Sequence, residues 1–110
     1  VVWGVDAQLK KGFLEYCILA VLCKGDSYGY QMIKDVSTCI NISESTLYPI
    51  LKRLETGKFL STYSVEHNSR LRRYHKITPS GRAYLQDFLK QWPQIIDIYE
   101  FIKEGAESHE

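Results

Sequence analysis

The sequence predicts a mainly α-helical domain with one small β-hairpin and a long C-terminal helix. Three observations carry that reading. Apolar residues recur at helical spacing through most of residues 9–56. Between Phe59 and Thr78 the pattern turns strand-like on either side of a polar, turn-prone stretch. After Thr78-Pro79 helical spacing returns and persists almost to the end. A chain of 110 residues suits one domain, and 45% hydrophobic with 25% charged residues is the balance of a folded globular protein.

Residues 9–23 read as a first helix, apolar enough to bury most of its circumference. Gly25 offers a positive-φ stop, and Asp26 or Ser27 a cap for the next helix. That second helix is expected from Tyr28 to about Thr38, with Met32, Ile33 and Val36 on one side. A short turn follows at residues 40–42. Ser43 then caps a third helix that runs to about Thr56, and Gly57 ends it. In this helix Leu47, Ile50, Leu51 and Leu54 form a single stripe at i, i+3, i+4 and i+7. The opposite face carries Ser45, Tyr48, Pro49, Lys52 and Thr56, with Arg53 on the flank. Pro49 removes one intrahelical hydrogen bond near the second turn.

Residues 60–65 and 73–78 are expected as strands of a hairpin, joined by the turn-prone residues 66–70. Thr78 as cap with Pro79 at the first helical position restarts a helix. To about Glu104 it would be about 39 Å long, more than a small domain can cover. Leu85, Phe88, Leu89, Trp92, Ile95, Ile96, Tyr99 and Ile102 alternate three and four apart, as in a helix–helix seam, and Pro93 should bend it.

This order of elements is that of a winged helix-turn-helix followed by a dimerisation helix. The expected division is a winged helix-turn-helix domain over residues 1–78, the dimerisation helix over 79–104 and a tail over 105–110. Residues 1–8 read as a flexible or expression-derived start. A helix fits the major groove, a basic hairpin can straddle neighbouring phosphates, and a pair of readers related by a two-fold axis matches a palindromic site. Charge distribution agrees. The net charge is only +1, but residues 45–82 hold eight Lys or Arg against two acids, while residues 83–110 hold two bases against six acids.

Other classes are weakened. No apolar run reaches the roughly 18 residues needed to span a bilayer, so no membrane partner is expected. The first residues lack the basic region of a secretion signal. Three cysteines without CxxC spacing argue against a disulfide framework or zinc knuckle and for a reducing cytoplasm. Cys17 and Cys23 read as buried inert thiols, Cys39 as more exposed. His67, His75 and His109 show no ligand spacing, so neither a metal nor a cofactor is expected. There is no GxSxG, HExxH, P-loop or dinucleotide fingerprint, and no Ser or Cys with a recognisable His partner. An enzyme is therefore not expected. The alternative is an interaction adaptor that kept the fold without specific DNA binding, against which the basic middle argues.

Three motifs resemble one family. Ser43-Glu44-Ser45-Thr46-Leu47-Tyr48-Pro49-Ile50-Leu51-Lys52-Arg53-Leu54-Glu55 followed by Gly57 resembles the recognition helix of PadR-family transcriptional regulators. Ser27-Tyr28-Gly29-Tyr30 resembles their entry into the second helix. Arg72-Arg73-Tyr74-His75-Lys76-Ile77-Thr78, then Gly81, resembles the wing strand and the start of the last helix. The single C-terminal helix is similar to the small subfamily. The family often has Gly where this chain has Ser45 and Tyr where it has His75.

The resemblance implies a cytoplasmic homodimeric repressor on double-stranded operator DNA, relieved by a lipophilic or aromatic small molecule. The residues expected on DNA are Ser43, Ser45, Thr46, Tyr48 and Lys52 in the groove, and Asn68, Arg70 and Arg72 on the wing. Arg73 alternates with Arg72 and should face the other way. Arg53 is expected on a phosphate, with a pair to a nearby acid as the alternative. Lys10 and Lys11 are either phosphate contacts or a solvated helix start. Trp92 matches the position of a ligand-stacking Trp in some small members. Phe88, Leu89, Ile96, Tyr99 and Leu14, with Tyr16 and Ile18, are the candidates for the dimer interface or effector pore.

Overall fold

The structure, a computed structural model, describes residues 7–108, with the backbone alone for residues 7–9 and 11. Most of the expected start segment, the Lys11 side chain and His109 lie outside the described residues. The elements are α1 (Ala7–Lys24), β1 (Ser27–Tyr28), α2 (Gly29–Val36), α3 (Glu44–Thr56), β2 (Leu60–His67), β3 (Arg70–Ile77) and α4 (Pro79–Glu107).

The core forms where α1, α2 and α3 meet over the base of the sheet. Leu14, Ile18 and Leu22 repeat at i, i+4 and i+8 along α1 and are buried with Leu19 against Met32 and Val36 of α2. The foreseen stripe Leu47, Ile50, Leu51 and Leu54 turns inward and completes the cluster with Leu60, Ile77 and Leu85. That burial leaves the opposite face of α3 in solvent.

The expectation of a helix starting at Tyr28, capped by Asp26 or Ser27, is corrected. Ser27 and Tyr28 form a short strand paired antiparallel with His75 and Tyr74. Tyr28 is extended, at φ −121° and ψ 165°, and its side chain makes no capping bond. The ladder supplies the backbone partners that a cap would otherwise offer. At the far end α2 stops at Val36, where the Thr38 hydroxyl donates to the Asp35 carbonyl at 2.7 Å.

Two further details depart from expectation. Ser43 precedes α3 but makes no side-chain capping bond. Gly57 closes α3 in right-handed geometry, φ −76°, and the left-handed residue is Lys58, φ 64°. A Cβ at 57 would lie 3.0 Å from the Phe59 ring, a tight contact that a small shift of the ring would relieve.

The hairpin is longer and tighter than expected. β2 and β3 pair from Leu60↔Ile77 to His67↔Arg70, and the turn is Asn68-Ser69 alone. Both turn residues have positive φ, 52° and 64°, which matches the twist of a two-residue hairpin. β3 is central in the order β1-β3-β2.

Thr78 caps α4 as foreseen. Its hydroxyl accepts from the Gly81 amide at 3.0 Å and donates to the Lys58 carbonyl at 2.7 Å. Gly81 lets α4 approach the Phe59 carbonyl, which a Cβ would strike. Helix α4 continues to Glu107, three residues into the expected tail, with Pro93 inside it. Its 29 residues span about 44 Å, and the molecule measures 68 × 28 × 21 Å. After Leu85 no residue of α4 is fully buried.

Candidate nucleic-acid interface

The outward face of α3 presents Ser43, Ser45, Thr46, Tyr48 and Lys52, all exposed. The Ser43 hydroxyl lies 3.0 Å from that of Ser45 and 3.3 Å from that of Thr46. Three hydroxyls therefore cluster at the helix N-terminus, where backbone N–H groups lack helical partners. Pro49 has no N–H to give the Ser45 carbonyl, so that acceptor is unclaimed by the helix. The Tyr48 ring leans back over Gly29 at the start of α2, so close that a Cβ on Gly29 would strike its hydroxyl.

Strand alternation divides the wing. Arg70, Arg72 and Tyr74 occupy one face of β3, and Leu71, Arg73 and His75 the other. Asn68 and Arg70 are exposed at the tip. The Arg72 guanidinium stacks 4.1 Å from the centre of the Tyr28 ring. Arg73 donates to the Thr62 hydroxyl at 3.1 Å and pairs with Glu55 at 3.5 Å, while Thr62 itself donates to Glu55 at 3.1 Å. Tyr63, Tyr74 and Tyr28 form a row across the sheet. The Tyr63 hydroxyl donates to Asp26 at 2.6 Å, and that bond to a carboxylate raises its pKa.

A groove of about 730 Å³ runs between α3 and the sheet, lined by Tyr28, Tyr30, Tyr48, Lys52, Arg72 and Arg73 among others. Phenol rings and cations converge there beside one carboxylate, Glu55, which Arg73 and Thr62 engage; the remaining phenols and cations suit hydrogen-bond acceptors and negative charge. Tyr28, expected inside the second helix, lines the groove from strand β1 and escaped sequence reasoning as part of it. Arg73 faces away from Arg72 as expected, and from that side it too borders the groove.

His75 is buried on β3 with its Nδ1 unpartnered, opposite Ser27, whose hydroxyl is also buried and unpartnered. Burial first, then the Arg73 charge, lowers the His75 pKa.

Arg53 belongs elsewhere. Its Nε and Nη2 donate to Oε2 of Glu15 at 3.2 and 2.9 Å. The expected phosphate contact is corrected: the guanidinium is taken up by an acid within reach, Glu15. The other oxygen of Glu15 accepts from Tyr84 of α4, and this bond raises the Tyr84 pKa strongly. Lys10 is half-buried at the start of α1 and is not among the residues that line the groove.

The candidates for the interface or effector pore separate into two sets. Leu14 and Ile18 are buried in the domain core, so neither is available to line an opening between subunits. Tyr16 is sandwiched between Tyr84 and Phe88, at centroid distances of 5.3 and 3.9 Å. Phe88 and Trp92 both meet the ring of Phe13, which sequence reasoning passed over. Leu89, Trp92, Ile96 and Tyr99 are exposed on α4, and Phe101 is 80% exposed. Cys17 and Cys23 are partly buried and Cys39 is exposed. Burial, and secondarily Cys39, pushes the Cys17 thiol pKa up, away from reactivity. Among the described residues no group of side chains could hold a metal ion, and no helix is long and apolar enough to cross a membrane.

Three packed helices, a two-stranded wing completed by β1 and a projecting C-terminal helix define a winged helix-turn-helix protein. Residues 18–87 match the Transcriptional regulator PadR-like family, and the chain belongs to that family of transcriptional regulators, not of enzymes. It is 41% identical to a solved Streptococcus mutans protein over the full length of both chains, with a TM-score of 0.74. A PadR-like transcription factor from Bacteroides fragilis is 33% identical, with a TM-score of 0.77 over 89% of this chain and 97% of that one. Bacillus subtilis PadR, solved in complex with operator DNA, is 27% identical, with a TM-score of 0.65 over 69% of this chain and 46% of its own.

Proposed function

We propose that the chain is a repressor that binds operator DNA as a homodimer, with α3 in the major groove and the wing on the flanking backbone. The observation that carries this is the single groove shared by Tyr48 and Lys52 of α3 and Arg72 of the wing. Ser43, Ser45, Thr46, Tyr48 and Lys52 meet base edges or the nearest phosphates, and Asn68, Arg70 and Arg72 clamp the backbone. The operator complex of the Bacillus subtilis relative supports the reading. The bare apolar flank of α4 supports a two-helix seam with a second copy, which sets two readers a helical turn apart. A lipophilic aromatic effector binds at that seam beside Trp92, where Phe13 and Phe88 already supply ring surface.

Footprinting on the upstream region of the chain's own gene, with and without candidate aromatics, tests operator and effector together. Tyr48→Ala is expected to weaken operator binding selectively, and Arg70→Ala to weaken all sequences about equally. Equal effects of both on operator and random duplex would refute the assignment. Trp92→Ala is expected to abolish binding of planar dyes, read by the dye's own fluorescence anisotropy, while the dimer stays folded. Undiminished dye binding would remove Trp92 from the effector site.

A further inference from the structure

We infer that Tyr28 and Gly29 are positioning residues: this dipeptide, at the junction of β1 and α2, aims both Arg72 of the wing and Tyr48 of α3. The inference rests on the DNA-binding reading and names residues beyond those that touch DNA in it.

Tyr28 is held from two sides. Its backbone pairs with β3 opposite Tyr74, and its ring meets the Tyr74 ring edge-on at 5.5 Å. Tyr63 stacks on the far side of Tyr74 at 5.6 Å, and its hydroxyl donates to Asp26, just before β1. The row of rings thus closes back on the segment that leads into Tyr28. On this fixed ring lies the Arg72 guanidinium. A guanidinium stacked on a ring keeps its N–H edge free for a phosphate while its plane is held. In solvent the same side chain would have to be ordered on binding, at an entropic cost.

Gly29 acts on the other reader. The Tyr48 phenol occupies the space where any side chain at 29 would begin, with ring carbon Cζ 3.1 Å from the position of a Cβ. Only glycine admits the ring there. Any larger residue swings the phenol outward, away from the place the α3 backbone and this contact give it. The junction of β1 and α2 therefore sets the spacing between the helix reader and the wing reader, through consecutive residues.

The test is a pair of double-mutant cycles on the full chain, read by binding to operator and random duplex and by thermal melting. Gly29→Ala is expected to weaken operator binding about ten-fold. In a Tyr48→Ala background the same change is expected to leave affinity unaltered, because the clash has gone, while any shift in Tm reports only the helix preference of alanine over glycine. Tyr28→Leu is expected to weaken binding about five-fold, Tyr28→Phe, which keeps the ring, to weaken it less, and Tyr28→Leu to be silent once Arg72→Ala is present. The inference is overturned by Gly29→Ala losses that persist in full without Tyr48, or by Tyr28→Phe being as damaging as Tyr28→Leu. If the parent protein binds no duplex, the functional reading falls and takes the inference with it. If the parent binds but losses are additive, the inference falls alone.

Discussion

Glu15 sits where α1, α3 and α4 meet, and its carboxylate takes both partners that reach it, Arg53 and Tyr84. The carboxylate is mostly covered while the Arg53 side chain is half exposed, so the pair counts for less than a buried one. Glu15→Gln is expected to cost about 1 kcal/mol, seen as a fall of about 4–8 °C in Tm. Arg53→Gln should add little on top, and an unchanged Tm would contradict the joint. His75 gives a second residue-level prediction. Its folded pKa lies below the ordinary 6.5, because burial and Arg73 disfavour the imidazolium. The unfolded chain therefore binds the proton first as pH falls, and stability drops from about pH 6.5 downward. It is held in full above that value. Replacement His75→Phe should flatten the dependence of Tm on pH between 6.5 and 5. A slope that survives the replacement would assign it to another group.

At the scale of elements, the hairpin carries a local cost. Ser69 holds φ 64° in the turn, a region that side chains with a Cβ enter at a penalty. Ser69→Gly converts the turn to the favoured Asn-Gly pair and is expected to stabilise the domain by about 0.5–1 kcal/mol. A lower Tm would mean that the Ser69 side chain contributes a contact of its own. Arg70 and Arg72 lie on one face of the wing and Arg73 on the other. On the proposed reading, replacing Arg70 or Arg72 should each reduce the log–log salt slope of DNA binding by about one. Replacing Arg73, tied to Glu55 and Thr62, should act more on stability than on that slope. Equal slope changes for all three would show that Arg73 leaves its partners on binding.

For the whole molecule, the projecting helix dominates. Beyond Leu85, α4 extends with Leu89, Ile95, Ile96, Tyr99 and Ile102 in solvent. A surface of that size and pattern, left bare, is a liability unless a partner covers it. Analytical ultracentrifugation is expected to give a dimer at micromolar concentration. The double change Ile96→Glu with Tyr99→Glu should give a monomer and weaken operator binding at least ten-fold, since two half-sites would no longer be engaged together. A monomeric parent protein would overturn the two-fold arrangement.

Periodicity and punctuation were enough to determine much of this. The stripe from Leu47 to Leu54, the Thr78-Pro79 restart and the unpaired length of α4 are local patterns, and local patterns are written in consecutive residues. With the inner face of α3 known, its outer face followed. What only the tertiary structure decided depends on contacts between distant residues. Strand β1 is two residues long, too short to show a period, and exists because β3 offers it a ladder. Arg53 turned to Glu15, Leu14 went into the core and Arg72 came to rest on Tyr28, because packing, not helix or strand phase, chooses among the partners within reach. The need for glycine at 29 arises only when α3 brings Tyr48 over it, a meeting of residues nineteen positions apart that no local pattern records.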